Sequence, residues 1–173
     1  ASRDMRKSIP PEIARGGSEF LAVWSDSRSY ESQNDIYGIR LDATGQPIGL
    51  SFAINTDDGS QTTPCVAWNG TAWLVVFLSD GKLCAARVST AGAVLDTPAI
   101  VIANPGASTP CSLASDGSGW AVVWAGRSAG NADLRGARIA ADGTVRDPSG
   151  VQILPETYFV RPVGPMAFCK DRY

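Results

Sequence analysis

Short apolar runs separated by turn residues make up most of the hydrophobic pattern, and no stretch has the period of a helix. The dipeptides Asn69-Gly70 and Asp80-Gly81 tolerate the positive φ values that two-residue hairpin turns require. The middle of the chain therefore predicts short antiparallel strands joined by tight turns. The four strands predicted there are residues 65–68, 72–78, 82–89 and 99–103.

This four-strand pattern occurs three times. Each copy has an apolar second strand with an aromatic residue at both ends, then an arginine, and then a glycine five residues further on. A proline precedes each copy, and Pro162 begins what reads as a fourth. Repeats of about 45 residues with four strands are typical of β-propeller blades. The aligned features are Phe20–Trp24, Trp73–Phe77 and Trp120–Trp124; Arg40, Arg87 and Arg138; Gly45, Gly92 and Gly143; and Pro11, Pro64 and Pro110.

The second strand of each copy is apolar at consecutive positions, which indicates burial on both faces. Blades stacked face to face provide such burial, and their terminal aromatic residues would wedge between neighbours. We predict an all-β, β-propeller-like fold of about three four-stranded antiparallel blades in a single domain, residues 1–173. The repeats are approximately 9–60, 61–107 and 108–154, and the tail 155–173 contains the first strand of a fourth blade, Arg161–Phe168.

The number of blades raises a question of closure, since propellers close with four to eight blades. An arc of three would leave an apolar blade face at each end, which soluble monomers seldom tolerate. Two chains could pair into a six-bladed ring, or the chain could be part of a longer protein. A third alternative is that residues 1–8 and 155–173 cap the ends. We favour a homo-oligomer.

Composition excludes several classes of site. The 173 residues include no histidine, which removes Ser–His–Asp and Cys–His catalysis and histidine zinc sites. A net charge of −2 gives no electrostatic basis for binding nucleic acid. The longest apolar run, residues 72–78, is far shorter than the roughly 20 residues of a membrane-spanning helix, so membrane insertion is not expected.

Four cysteines, at positions 65, 84, 111 and 169, form no Cys-x-x-Cys pair. Four cysteines allow three disulfide pairings, among which the sequence does not choose. The alternative is that they are buried reduced thiols. Cys65 and Cys111 occupy the same repeat position, which favours a packing role for these two.

The first copy resembles a known family. Trp24-Ser-Asp-Ser-Arg28, Asn34-Asp35-Ile36-Tyr37-Gly38 and Asp42-Ala-Thr-Gly45 are similar to the repeats of secreted bacterial β-propellers. They also resemble the TolB-type repeat, which shares an aromatic strand, an Asp-Arg loop and an Asp-Ile-Tyr strand. The second copy departs from the pattern, with Cys84 where the first has Tyr37. The resemblance implies a propeller scaffold and a secreted, extracellular bacterial location, and it says little about chemistry.

The long loop of the first copy is the main candidate for ligand binding, because long loops on a rigid scaffold often carry function. The same charged residues could instead form a structural salt-bridged turn. Calcium is a weaker possibility, with Asp26, Glu31 and Asp35 as oxygen ligands, and no other cofactor is expected. Trp68, beside a hairpin turn, could stack on a sugar ring. The candidate ligand-binding residues are Asp26, Arg28, Tyr30, Asp35, Tyr37 and Trp68.

The repeated arginines Arg40, Arg87 and Arg138 favour an inter-blade structural role, with repeated ligand contacts as the alternative. No phosphate-binding loop, nucleophile elbow or singular carboxylate pair is present. The sequence therefore favours a non-catalytic, secreted β-propeller binding or interaction module, lectin-like, with a glycan or cell-surface partner. The alternative is the propeller portion of a larger extracellular hydrolase such as a glycosidase.

Overall fold

The computed structural model describes residues 11–30, 33–104, 111–128 and 131–157. This part of the chain is all-β and forms three four-stranded antiparallel sheets, one for each repeat, as the sequence predicts. Within each sheet the strands follow chain order. Blade 1 contains β1 (Glu12–Gly16), β2 (Glu19–Tyr30), β3 (Gln33–Leu41) and β4 (Pro47–Asn55); blade 2 contains β5 (Gln61–Trp68), β6 (Ala72–Ser79), β7 (Lys82–Ser89) and β8 (Ile100–Ala103); blade 3 contains β9 (Ser112–Ala114), β10 (Gly119–Ser128), β11 (Asn131–Ala140) and β12 (Val151–Thr157).

Turn chemistry sets the strand register. Asp80 and Gly81 join β6 to β7 with φ values of 46° and 80°, the conformation in which both central residues of a hairpin turn have positive φ. Strand β5 begins four residues before the predicted start. The cause is an irregularity between Thr62 and Cys65, where Thr63 has a φ of 51° and Pro64 lacks an N–H for the ladder.

The blades stack around their first strands. Strand β5 contacts β1 on one side and β9 on the other, so the first strand of each blade lies on the inside of the arc. Strand β6 is buried on both faces, as its continuous apolar run predicts. Trp73, Val75 and Phe77 belong to the core shared with blade 1, while Leu74 and Val76 belong to the core shared with blade 3.

Tryptophan side chains fasten each blade to the one before it. The indole Nε1 of Trp73 in blade 2 donates to the carbonyl of Ala14 in blade 1 at 3.2 Å. The equivalent Nε1 of Trp120 in blade 3 donates to the carbonyl of Ala67 in blade 2 at 3.1 Å. The predicted wedge role of these aromatic residues is therefore confirmed, with a repeated hydrogen bond as its polar component.

Among the three repeated arginines, Arg87 forms a hydrogen bond that links its blade to the following one. Arg87 forms a two-pronged ion pair with Asp96, and its Nη1 donates to the carbonyl of Ala141 in blade 3 at 2.8 Å. Arg138 forms the same fork with Asp147. Arg40 departs from this pattern and pairs with Glu19 instead, because Gly49 occupies the position of the aspartate in blade 1.

Cys65 and Cys111 form a disulfide that joins the innermost parts of blades 2 and 3. The interpretation of this pair as packing thiols is therefore wrong. Their shared repeat position places them side by side, because equivalent residues of adjacent blades face each other near the inside of the arc. Cys84 is a buried free thiol on β7, which places it in the core between blades 1 and 2. Cys169 lies outside the described residues.

The predicted fourth strand, Arg161–Phe168, also lies outside the described residues, as do residues 1–8 and 158–173. Among the residues that the structure describes, no helix is long and apolar enough to cross a membrane.

Candidate functional site

A charged and aromatic group of side chains occupies one end of blade 1. The register of β2 on β3 places Trp24 opposite Tyr37 and Asp26 opposite Asp35. Arg28 follows two residues after Asp26 and folds back over them. The side chains of Trp24, Asp26, Arg28, Tyr37 and Ser51 are called the Arg28 cluster below.

Asp26 is the anion of the Arg28 cluster. It accepts hydrogen bonds from the backbone N–H of Arg28 at 2.9 Å, from its Nε at 2.8 Å, and from the indole Nε1 of Trp24 at 3.1 Å. The bond from the Arg28 side chain is the main reason that the pKa of Asp26 lies below its ordinary value. Asp26 is therefore a carboxylate at neutral pH and fixes the orientation of the guanidinium.

Arg28 spreads its guanidinium over two rings. Its Cζ lies 4.1 Å from the centroid of Tyr37 and 5.9 Å from that of Trp24, both within the range of a cation–π contact. Its Nη1 donates to the hydroxyl of Ser51 on β4 at 3.2 Å. The Arg28 side chain nevertheless keeps 44% of its surface exposed, so it can contact a ligand without breaking these interactions.

The Arg28 cluster lies on the face of blade 1 that points away from blade 2. Leu21 and Val23 belong to the core shared with blade 2, so the alternation of β2 places Trp24 on the opposite face. The equivalent residue of blade 2, Phe77, is fully buried against blade 1. Within the described part of the chain, no blade covers the corresponding face of blade 1.

Asp35 lies across from Asp26 but in a different environment. It is 5% exposed, and its Oδ2 finds no hydrogen-bond partner among the described residues. Blade 3 has a buried aspartate at the equivalent position, Asp133, which accepts from Arg135 Nε at 2.8 Å. Arg135 stands where blade 1 has Tyr37, and the Oδ1 of Asp133, like the Oδ2 of Asp35, finds no hydrogen-bond partner among the described residues.

The predicted site residues do not all come together. Asp26, Arg28 and Tyr37 form the cluster and Asp35 adjoins it, whereas Trp68 lies at the opposite end of the blades, beside the β5–β6 turn. The Trp68 ring is partly buried and packs on Trp73 with a centroid distance of 4.8 Å. Sugar stacking at Trp68 stays a prediction, separate from the cluster.

Two further predictions fall partly outside the described residues. The backbone of Tyr30 pairs with Gln33 at the end of the hairpin, but its side chain is not described. Glu31, the third proposed calcium ligand, is not described either. Within residues 11–30, 33–104, 111–128 and 131–157, no group of three or more acidic or cysteine side chains could hold a metal ion.

Sequence analysis missed Trp24 and Ser51 as members of the Arg28 cluster. The repeated position of Trp24 indicated packing between blades, which hid its second role as a hydrogen-bond donor to Asp26. A signal was available, because the described residues contain no earlier repeat to receive that aromatic residue. Ser51 gave no signal, since its contact depends on the register of β4.

Comparison with known proteins gives similarity of structure only. No family model and no curated protein matches the sequence. One similar solved structure is the catalytic domain of the GH62 α-L-arabinofuranosidase of Coprinopsis cinerea, with 10% identity and a TM-score of 0.48 over 81% of this chain. Another is the α-L-arabinofuranosidase PaAbf62A of Podospora anserina in complex with cellotriose, with 9% identity, a TM-score of 0.31, and coverage of 90% of this chain and 72% of that one. The chain spans about half, 49%, of the Coprinopsis domain.

Proposed function

We propose that this chain is a non-catalytic β-propeller binding module that recognises a glycan through the Arg28 cluster. The observation that carries the proposal is the half-exposed guanidinium of Arg28, held by Asp26 over the rings of Tyr37 and Trp24 on a face that no other described blade covers. Binding sites for small ligands combine aromatic surface with a few oriented polar groups. The cluster offers both on a rigid sheet.

An extracellular location fits this function. The disulfide between Cys65 and Cys111 belongs to the class of bonds that persists in oxidising compartments such as the bacterial periplasm and the cell exterior. Glycans of cell surfaces and matrices are the ligands most available there. The resemblance of the first repeat to those of secreted bacterial propellers supports a bacterial source.

Glycan-array screening followed by calorimetry with the best ligand tests the proposal. Arg28→Ala should weaken binding at least about tenfold, because it removes both a charged donor and the cover of two rings. Arg15→Ala is the matched control, since Arg15 is exposed at the other end of blade 1. Circular dichroism should show the same folded spectrum for all three proteins. A complete absence of glycan binding, or equal affinity of the Arg28 variant, would overturn the proposal.

A second candidate is a glycoside hydrolase, and Asp35 is the observation that favours it. Hydrolases of this class work with two carboxyl groups in different environments, and Asp35 is buried opposite the charged, ion-paired Asp26. The test is release of nitrophenol from aryl glycosides, arabinofuranosides included, by the wild type and by Asp35→Asn. Turnover that Asp35→Asn abolishes would replace the binding-module proposal; no turnover by the wild type would exclude this candidate.

A further inference from the structure

A cleft of about 470 Å³ opens at the β9–β10 end of blade 3. Its walls include Ala114 and Ser115 at the end of β9, Trp120 at the start of β10, and Arg138 on β11. It lies beside the face of blade 3 that points away from blade 2, where Val151 and Ile153 are exposed apolar side chains.

The corresponding places in blades 1 and 2 are filled by a tryptophan. Ala14 and Ala67 occupy the repeat position of Ala114, and their carbonyls accept the indole N–H of Trp73 and Trp120 from the following blade. Ala114 pairs with Ala121 in the register of β9 on β10. The cleft is thus an aromatic socket of the type that joins the described blades.

Arg138 also lacks an inter-blade hydrogen bond that its equivalent in blade 2 forms. Arg87 uses Nε and Nη2 for its aspartate and Nη1 for the carbonyl of Ala141 in the next blade. Arg138 makes the same fork with Asp147, and the described residues offer its Nη1 no such carbonyl. Its side chain is 73% exposed, against 18% for Arg87.

Blade 1 carries the complementary halves of both contacts. Phe20 stands at the repeat position of Trp73 and Trp120, at the start of β2. The turns around Gly45 and Gly143 contain the same hydrogen bond, which the glycine N–H donates to the carbonyl three residues earlier. A side chain of the preceding blade, Arg87, lies within about 3 Å of where a Cβ of Gly143 would be, whereas the corresponding space at Gly45 is open.

We infer that the face of blade 3 that no described blade covers binds blade 1 of a second copy of this chain. Phe20 of the second copy fills the socket at Ala114, and Arg138 donates Nη1 to the carbonyl of Ala43 in its β3–β4 turn. A two-fold axis makes this contact twice and closes six blades, within the range of natural propellers. Phe20 and Trp24 lie on the same face of β2, so blade 3 of the second copy also covers Trp24 of the Arg28 cluster, as blade 1 covers Phe77. The dimer and glycan binding at the cluster therefore compete for this face, and the inference does not rest on the proposed function.

Sedimentation velocity and light scattering over a concentration series test the inference. The wild type should have twice the 18.1 kDa mass of one chain at the higher concentrations. Phe20→Ala and Arg138→Ala should each raise the dimer dissociation constant at least about tenfold, since each removes two symmetric contacts. Phe20→Trp should lower it several-fold, because an indole adds the hydrogen bond that the other two interfaces have.

Leu50→Ala is the matched control, since Leu50 is 90% exposed on β4 and should leave the dissociation constant unchanged. Thermal unfolding by circular dichroism verifies that each variant is folded. A monomer at every concentration would overturn the inference. So would a mass above that of the dimer, or a dimer whose dissociation constant does not respond to Phe20 and Arg138. Glycan binding by the monomer would leave the proposed function intact in any of these cases.

Discussion

Single residues decide how closely the blades approach. Gly16 lies where blade 1 meets the indole of Trp73, and a Cβ at this position would come within 2.5 Å of the Trp73 ring and 2.7 Å of the Trp68 ring. Two indoles that are packed on each other at a blade interface have little room to retreat. A backbone without a side chain is therefore required at this point of contact.

Replacing Gly16 with alanine should lower the free energy of unfolding by about 1–3 kcal/mol, because the added methyl overpacks the interface. Gly16 lacks the positive φ of its neighbour Gly17, so the substitution tests space rather than backbone strain. Arg15→Ala, next in the chain and exposed, should change stability by less than about 0.5 kcal/mol. Urea denaturation measures both, and equal midpoints would contradict the described interface.

Asp147 offers a titration test of the arginine fork. The bond from Arg138 is the largest cause that lowers its pKa from 3.8 to about 2. Because the folded pKa lies below the unfolded one, the stabilisation is present above about pH 4 and is lost as pH falls toward 2. A carboxyl NMR titration should find a midpoint near pH 2 in the wild type and one closer to 3.8 in Arg138→Ala. A wild-type midpoint near 3.8 would show that the fork is absent in solution.

The positions of the strands are the part of the fold that the sequence predicts best. Continuous apolar runs identified the second strand of each blade, and Asn-Gly and Asp-Gly dipeptides located the hairpins, because both signals are local. The start of β5 escaped prediction, since the irregularity at Thr63 and Pro64 depends on pairing with β6. The ion pair between Arg40 and Glu19 also escaped, because Gly49 breaks the spacing that joins Arg87 to Asp96 and Arg138 to Asp147.

Truncating an inter-blade tryptophan tests whether the second strand of a blade packs against the preceding blade as described. Trp73→Ala and Trp120→Ala should each lower the free energy of unfolding by about 3–5 kcal/mol, as expected for a large buried ring. Trp73→Phe should cost less, with loss of the bond to Ala14 contributing about 1 kcal/mol. Leu50→Ala, at an exposed strand position, is the control for chemical denaturation. Unchanged stability of either alanine variant would show that the blade register is wrong.

In the whole molecule, the position of a blade in the stack determines which of its faces are packed against another blade. Blade 2 contacts blade 1 through one face of β6 and blade 3 through the other, so the three sheets share two cores. Among the described residues, no blade covers the face of blade 1 that carries the Arg28 cluster or the face of blade 3 beside the aromatic socket. The sequence predicted Asp26, Arg28 and Tyr37 as candidate site residues, but not the position of the Arg28 guanidinium over two rings, because that contact depends on the folded hairpin.

The disulfide ties blade 2 to blade 3 across a separation of 46 residues. Cross-linking a loop of this size restricts the unfolded chain and is worth about 2–4 kcal/mol. The double variant Cys65→Ser, Cys111→Ser should be less stable by that amount, and dithiothreitol should then have no further effect on its unfolding midpoint. A double variant as stable as the oxidised wild type would show that the bond does not constrain the fold.

Mapping that disulfide tests the stacking of the repeats most directly. Trypsin, which cleaves after lysine and arginine but not before Pro162, places Cys65 in peptide 41–82, Cys84 in 83–87, Cys111 in 88–127 and Cys169 in 147–170, so each cysteine has its own peptide. Mass spectrometry of the unreduced digest should find peptide 41–82 linked to peptide 88–127, because stacked blades bring Cys65 beside Cys111. A link from Cys65 to Cys84 or Cys169 would contradict the arrangement of three consecutive blades described above.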